Sequence, residues 1–323
     1  MPLRNLIKGG AWGTNLLWAL RLFGQGPDQG PSRRLRFMLR VVACPWASTR
    51  WLRFLRGLNL LTPGILADGV LQQPFRPFFD ARLRVADRVG LLIDHYRLIL
   101  ALVGAEALRD LESGKPIHLA EVPTKTGSAL HLYLQKEDRF LKEGSLVLAL
   151  ANADGDALNL AFTLGNNGTT VAARIGCLQA TSRDTAATLR ELTRELHGIQ
   201  PRILVVQALR MICRVWGVDA IEGVAAAHHV YQSRRYRRRK PVRSAYDDFW
   251  TLLGGKLQSS GNFNLPRDPP LKREEDFPSR QRAQRRQRTA LLTAINAQIE
   301  RTLEPPGASS HATERQGRRS GPD

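Results

Sequence analysis

Residues 171–232 read VAARIGCLQATSRDTAATLRELTRELHGIQPRILVVQALRMICRVWGVDAIEGVAAAHHVYQ, and residues 244–266 read SAYDDFWTLLGGKLQSSGNFNLP. The pattern switches repeatedly between β-branched runs and leucines at helical spacing, with glycine or proline at each switch. It predicts a strand over 169–178, a helix ending at Gly198, a helix over 202–216, a strand over 219–225, a helix over 246–253 and an extended piece over 261–266.

Upstream of this stretch, short alternating segments are separated by turn formers. Asp154-Gly155 and Asn167-Gly168 are hairpin signals, so the pattern predicts an antiparallel meander. The predicted strands are 117–122, 129–135, 146–152 and 158–164, and a long helix over 82–112 precedes them. The predicted fold class is α+β, with a central antiparallel or mixed sheet, flanking helices and a helical N-terminal extension.

Three regions follow from these patterns. Residues 1–79 are predicted to be a basic amphipathic helical region, residues 80–300 an α+β domain, and residues 301–323 a disordered tail rich in Gly, Ser, Arg and Pro. Residues 1–60 carry ten Lys or Arg and one acid, with Trp and Phe between them. Such helices either lie in the head-group layer of an anionic membrane or cover the core with their apolar faces.

The composition is strongly basic. The 323 residues are 43% hydrophobic, enough for a sizeable core, and carry a net charge of +19, which attracts anionic partners. Three widely spaced cysteines indicate a reducing compartment. No apolar run is long enough to span a membrane, and the short apolar segment 11–23 is interpreted as uncleaved. We therefore expect a cytoplasmic protein, peripheral at the inner membrane.

Several short motifs carry a family resemblance. They are Ile175-Gly176-Cys177-Leu178-Gln179, Leu196-His197-Gly198, His229-Val230-Tyr231, Tyr246-Asp247-Asp248-Phe249-Trp250, Gly254-Gly255 and Phe263-Asn264-Leu265-Pro266. As a set they resemble the VirK/YbjX proteins of Gram-negative bacteria (domain of unknown function 535). The resemblance implies an envelope-associated factor linked to virulence and to resistance against cationic antimicrobial peptides.

A more distant resemblance concerns the order of the elements, which is similar to that of GNAT-like acyltransferases. It implies acyl-CoA or acyl carrier protein as a cofactor, and a tyrosine acid near the end of the last long helix. Trp250 stands at that position and its indole cannot deliver a proton, so Tyr246, one turn earlier, is the substitute. The segment that corresponds to the phosphate loop lacks glycine, but Thr181, Ser182 and Arg183 offer donors.

The candidate catalytic residues are Tyr246, His229, Cys177, Gln179 and Trp250. Cys177 acts as a nucleophile if a histidine activates it, and is otherwise a small buried hydrophobe. His229 is a candidate base. The pair His228-His229 lacks further metal ligands, so no metal site is predicted.

The strongest anion-binding signal is a basic run around Tyr236, formed by Arg234, Arg235, Arg237, Arg238, Arg239 and Lys240. Guanidinium groups bind phosphates through paired donors, so a phosphorylated ligand or an anionic membrane surface is the expected partner. A solvated surface loop is the alternative interpretation. Few aromatic platforms accompany the run, so sequence-specific nucleic-acid binding is the weaker prediction.

Two main hypotheses remain open. A transferase that modifies an envelope component or a peptide predicts a continuous tunnel or a splayed strand pair lined by Gln179, His229 and Tyr246. A non-catalytic protein that binds anionic lipid or a protein partner predicts a filled core at the same place. Nucleic-acid binding is a third, weaker alternative.

Overall fold

The computed structural model describes residues 11–23, 31–61, 65–152, 155–180, 185–237, 246–269 and 278–304. Helices come first, and a sheet with further helices follows. The N-terminal helices are α1 (Ala11–Leu22), α2 (Pro31–Ala43), α3 (Pro45–Leu58), α4 (Ile65–Gln72) and the long α5 (Val85–Glu112).

The sheet takes up most of the middle of the chain. Its strands are β1 (Ile117–Pro123), β2 (Ala129–Gln135), β3 (Leu146–Asn152), β4 (Gly155–Asn167), β5 (Thr170–Ala180), β6 (Ala220–Gly223), β7 (Lys256–Leu257) and β8 (Phe263–Leu265). Helices α6 (Thr185–Glu195) and α7 (Pro201–Val215) connect β5 to β6, α8 (Tyr246–Leu252) precedes β7, and α9 (Ser279–Leu303) comes last.

The strand order is β1-β2-β3-β4-β5-β6-β8-β7. Neighbours from β1 to β5 are antiparallel, β5 and β6 are parallel, and β8 is antiparallel to both β6 and β7. The predicted α+β class and the mixed sheet are therefore confirmed. All residues of β3 up to Ala151 are buried, which requires cover on both faces. Helix α7 packs against β3 and β4, and α5 packs against β4.

Helix α5 is tied to the sheet by polar contacts. His95 Nδ1 accepts the Leu164 N–H at 3.1 Å, and Lys136 Nζ lies 2.5 Å from both a Glu112 carboxylate oxygen and the Tyr96 hydroxyl. All four side chains are buried. The charges of Lys136 and Glu112 are tolerated there because each has its partner.

The N-terminal helices share one hydrophobic cluster with the sheet. Phe23 stacks on Phe37 with ring centroids 4.4 Å apart, and Trp51 lies 5.9 Å from Tyr96 of α5. Their apolar side chains thus cover the core, as one of the two interpretations of residues 1–79 requires.

The C-terminal boundary differs from the prediction. The tail was expected to begin at residue 301, but α9 continues to Leu303, and residues 305–323 lie outside the described part. The reason is an apolar stripe at four-residue spacing, Leu291, Ile295, Ile299 and Leu303, which is buried where α9 packs on β1 and α7.

No helix within the described ranges has both the length and the apolar character that crossing a bilayer requires.

Candidate functional site

Strands β5 and β6 run side by side for only part of their length. Ala172–Ile175 pair with Ala220–Gly223, and the Val224 N–H donates to the Ile175 carbonyl over 3.0 Å. Strand β5 then continues to Ala180, whereas β6 has ended. The two chains part at Gly176, and we call the space between them the strand gap.

Gly176 is the extra residue of a β-bulge. Ala161 pairs with Cys177 but Phe162 pairs with Ile175, so Gly176 is left without a partner on β4. A Cβ at Gly176 would lie 1.8 Å from the carbonyl oxygen of Glu143. Only glycine allows this approach, which brings Glu143 directly against β5 at the strand gap.

Helix α8 fills the strand gap with two stacked rings, Tyr246 and Trp250, which we call the aromatic wedge. Their centroids are 5.8 Å apart at an interplanar angle of 10°. The Tyr246 hydroxyl accepts the Leu178 N–H at 3.4 Å, and Trp250 Nε1 donates to the Val224 carbonyl at 2.9 Å. The wedge thus provides hydrogen-bond partners for backbone groups of both separating chains, which buried polar groups require.

His229 lies beside the wedge. Its ring stacks on Tyr246 with centroids 5.4 Å apart, and Nδ1 accepts the Tyr231 N–H at 3.3 Å. Nε2 is buried and makes no hydrogen bond of ordinary geometry with the described residues, although the Gly176 backbone is close.

The environment of His229 sets its charge. Burial lowers its pKa to about 4; the Gly176 backbone opposes this shift and the Lys142 ammonium adds to it. The ring is therefore neutral at pH 7. Because Nδ1 accepts a hydrogen bond, the proton of the neutral ring lies on Nε2.

A buried carboxylate, Glu143, occupies the other side of the gap. It is 1% exposed, and its Oε1 accepts from Gln179 Nε2 at 2.7 Å. Burial raises the pKa of Cys177 well above its usual value, and the Glu143 carboxylate raises it further. Cys177 is therefore a neutral thiol, which is a poor nucleophile. Burial and Glu143 also raise the pKa of Tyr231.

A row of aromatic rings leads from the wedge towards the basic run. His229 lies 5.0 Å from Tyr231, and Tyr231 lies 6.0 Å from Tyr236. The neighbouring Arg235 guanidinium lies 5.7 Å from the Tyr236 ring. The catalytic candidates and the described part of the basic run therefore belong to one continuous region.

Comparison with known proteins shows which family the chain belongs to. The family described as "Protein of unknown function (DUF535)" matches residues 29–301. The chain belongs to this family. It is 27% identical to the "Uncharacterized protein YbjX" of Escherichia coli (strain K12) over 280 residues, which cover 83% of this chain and 82% of the relative. An "Uncharacterized protein" of Haemophilus influenzae is 25% identical over 69% of this chain and 74% of its own length. The VirK/YbjX resemblance is thereby confirmed.

The structure of this DUF535 chain brings five predicted residues together. Tyr246, His229, Cys177, Gln179 and Trp250 all line or fill the strand gap. The gap is not open, however. The strand pair is splayed, as one form of the transferase hypothesis predicts, but the stacked rings of the wedge fill the gap, as the binding hypothesis predicts.

The predicted anion-binding residues divide into two groups. Arg234, Arg235 and Arg237 are exposed on the surface beyond Tyr236. Thr181, Ser182, Arg183, Arg238, Arg239 and Lys240 lie outside the described residues. Across the described ranges, no group of three or more His, Cys, Asp or Glu side chains is arranged to hold a metal ion.

Sequence reasoning missed Glu143. It lies in the turn Lys142-Glu143-Gly144, where an acid is ordinarily a solvated residue. The sequence signal for the contact between the Glu143 turn and β5 was a glycine in each of the two segments that meet. A Cβ at Gly144 would lie 2.4 Å from Phe162 N, so Gly144 and Gly176 together mark a close backbone approach.

We predict that Gly176→Ala destabilises the DUF535 fold by ~3 kcal/mol or more, because the new methyl group overlaps the Glu143 carbonyl. The matched control is Gly90→Ala in α5, where an added Cβ has open space and gains up to about 1 kcal/mol of helix propensity. Urea unfolding measures both. Equal stability of Gly176→Ala and the wild type would contradict the close approach.

Proposed function

We propose that this DUF535 protein docks on an anionic membrane surface through α2 and the start of α3. The observation that carries the proposal is an apolar stripe that faces solvent. Leu35, Leu39, Val42 and Trp46 are 57%, 60%, 54% and 58% exposed. Leu35, Leu39 and Val42 align along one side of α2 because they are four and three residues apart, and Trp46 follows in the first turn of α3.

The stripe belongs to an amphipathic helix that also packs on the protein. Phe37 and Val41 of α2 are fully buried, so the opposite side of the same helix is anchored in the core. Exposed apolar side chains in a row usually mark an interaction site, because water contact with them is unfavourable. The anchored helix presents such a row at a fixed orientation.

Charge decides between a membrane and other apolar partners. Arg34, Arg36, Arg50 and Arg53 are exposed close to the stripe in sequence, and the Arg50 guanidinium lies 5.7 Å from the Trp46 ring centroid. Leucine and tryptophan beside arginines suit the head-group boundary of an anionic bilayer. The net charge of +19 acts in the same direction. This position on the inner membrane surface agrees with the envelope role implied by the VirK/YbjX resemblance.

We expect Leu39→Ser to weaken binding to vesicles of phosphatidylcholine and phosphatidylglycerol by ten-fold or more, because a leucine that inserts into the bilayer contributes roughly 1.5–3 kcal/mol. Vesicle flotation measures the bound fraction. The control is Leu257→Ser, which removes an equally exposed leucine from β7 and should leave binding unchanged.

Two results count against docking. The first is wild-type protein that does not float with anionic vesicles at low salt. The second is equal loss of binding in the two variants, since that would make the position of the leucine irrelevant.

A second candidate function is group transfer at the strand gap, as in GNAT-like acyltransferases. The observation in its favour is that the Tyr246 hydroxyl and the buried Glu143 both contact β5 beyond Gly176, at the Leu178 N–H and at the Gln179 side chain. The parallel β5–β6 pair that parts, followed by an antiparallel β8, supports the resemblance. For a thioester to reach Tyr246, the aromatic wedge must first withdraw from β5.

Glu143 and Tyr246 account for both proton transfers in such a reaction. An acceptor amine attacks the thioester carbonyl, so a C–N bond forms and the C–S bond breaks. Glu143 takes a proton from the amine, and the Tyr246 hydroxyl gives its proton to the leaving thiolate. The amide and the free thiol leave. The proton then passes from Glu143 to the Tyr246 phenolate, which restores both groups.

Tyr246→Phe should lower thiol release from acyl-CoA or acyl carrier protein in the presence of an amine by about 100-fold, the usual contribution of a general acid. The phenylalanine ring keeps the stack but removes the acceptor of the Leu178 N–H, so the variant should still fold, with a free energy of unfolding lower by about 1–3 kcal/mol. The control is Tyr133→Phe on β2. Wild-type activity in Tyr246→Phe, or no thiol release by the wild type with any donor tested, contradicts the assignment.

A further inference from the structure

Arginines from three distant segments meet next to the aromatic row. Arg40 of α2 and Arg76 both donate to the same atom, Gln72 Oε1; the Arg40 bond is 3.0 Å long. Arg235 comes from the basic run and lies against Tyr236. Arg88 of α5 donates to the Arg76 carbonyl at 2.8 Å. We call Arg40, Arg76, Arg88 and Arg235, together with Tyr236, the arginine cluster.

The cluster holds more donors than acceptors. Each guanidinium carries five N–H groups, yet Arg40 and Arg76 share one amide oxygen. The Nε atoms of Arg76 and Arg88 are buried and have no hydrogen-bond partner in the described ranges. Buried donors without acceptors are costly, and native structures rarely keep them without a reason.

The cluster is also poor in negative charge. Burial lowers the pKa of Arg40, and the charges of Arg235 and Arg76 lower it further. Burial likewise lowers the pKa of Arg76 and of Arg88. The Asp138 carboxylate raises the pKa of Arg76 and the Asp87 carboxylate raises that of Arg88, but burial has the larger effect on each pKa. Arginine stays charged under such conditions, so the positive charges face one another.

We propose that the arginine cluster is a binding site for a phosphate monoester. A phosphate supplies several acceptor oxygens and a double negative charge, which match the unpaired donors and the mutual repulsion of the guanidiniums. Arg40, Arg76 and Arg235 bind its oxygens, and the long arginine stems rotate to bring Nε edges towards it. Arg88 donates to the backbone carbonyl of Arg76 and so holds Arg76 in place.

The site deepens the docking proposal but does not depend on it. Helix α2 carries both Arg40 and the exposed apolar stripe, so a lipid with a phosphate monoester head group suits both at once. A soluble phosphate ester would bind the same arginines without any bilayer. The shared chemistry is the phosphate monoester, and the source is decided by experiment.

The test uses two probes of matched chemistry, glycerol 3-phosphate in solution and phosphatidic acid in phosphatidylcholine vesicles. Calorimetry measures the first and flotation the second, both at low salt. The triple variant Arg40→Gln, Arg76→Gln, Arg235→Gln is compared with Arg109→Gln, Arg194→Gln, Arg202→Gln, which removes the same charge from exposed positions elsewhere.

We expect the cluster triple variant to weaken binding by ten-fold or more, because charge-assisted hydrogen bonds are lost, and the control triple variant to stay within about two-fold of wild type. Binding of glycerol 3-phosphate identifies a soluble ligand; binding only of phosphatidic acid vesicles identifies a lipid head group. Leu39→Ser should impair the vesicle probe alone, which separates a failure of docking from a failure of the phosphate site.

A single variant tests the proposal even if the triple variant does not fold. Arg235→Gln changes an exposed side chain, so the fold should be unaffected, and we expect several-fold weaker binding. The proposal is overturned if the wild type binds neither probe, if both triple variants lose binding equally, or if Arg235→Gln binds as the wild type does.

Discussion

Two parallel strands that part halfway leave backbone N–H and C=O groups in the interior without a neighbouring strand, and those groups must find other partners. In this protein two ring side chains of α8 supply them. Tyr246 accepts the amide of Leu178, and Trp250 donates to the carbonyl of Val224. The bulge at Gly176 sets the position of the parting by bringing the Glu143 backbone against β5. The arrangement of the surrounding side chains follows from these contacts.

Once the wedge is in place, it organises the route to the surface. His229 stacks on Tyr246, Tyr231 follows His229, and Tyr236 follows Tyr231. This row connects the buried polar cluster to arginines that come from α2, α5 and the basic run. The strand gap and the arginine cluster, on which the proposals rest, are therefore connected by this row of rings. The two proposed functions are compatible in space, because docking uses α2 and the start of α3 whereas group transfer uses the strand gap.

Local patterns explain why much of the fold could be predicted. Turn pairs such as Asn167-Gly168 and alternating strands are short-range signals, so the predicted strands from β1 to β5 agree with the structure within a few residues. Strand β7 was missed because a strand of two residues is too short to show an alternating pattern of apolar and polar residues. Glu143 and Arg76 were missed because their roles arise from contacts with residues distant in sequence. Whether the gap is open or filled stayed undecided in the sequence, because side-chain packing between α8 and β5 cannot be read from spacing alone.

The most direct test of the central claim is amide hydrogen exchange at Leu178, measured by NMR in the wild type and in Tyr246→Phe. If the tyrosine hydroxyl holds the edge of β5, the Leu178 amide exchanges faster in the variant, while amides within the β4–β5 ladder, such as that of Leu160, keep their protection. Equal protection of Leu178 in both proteins would contradict the account, because the parted strand would then not depend on the wedge for its hydrogen bond.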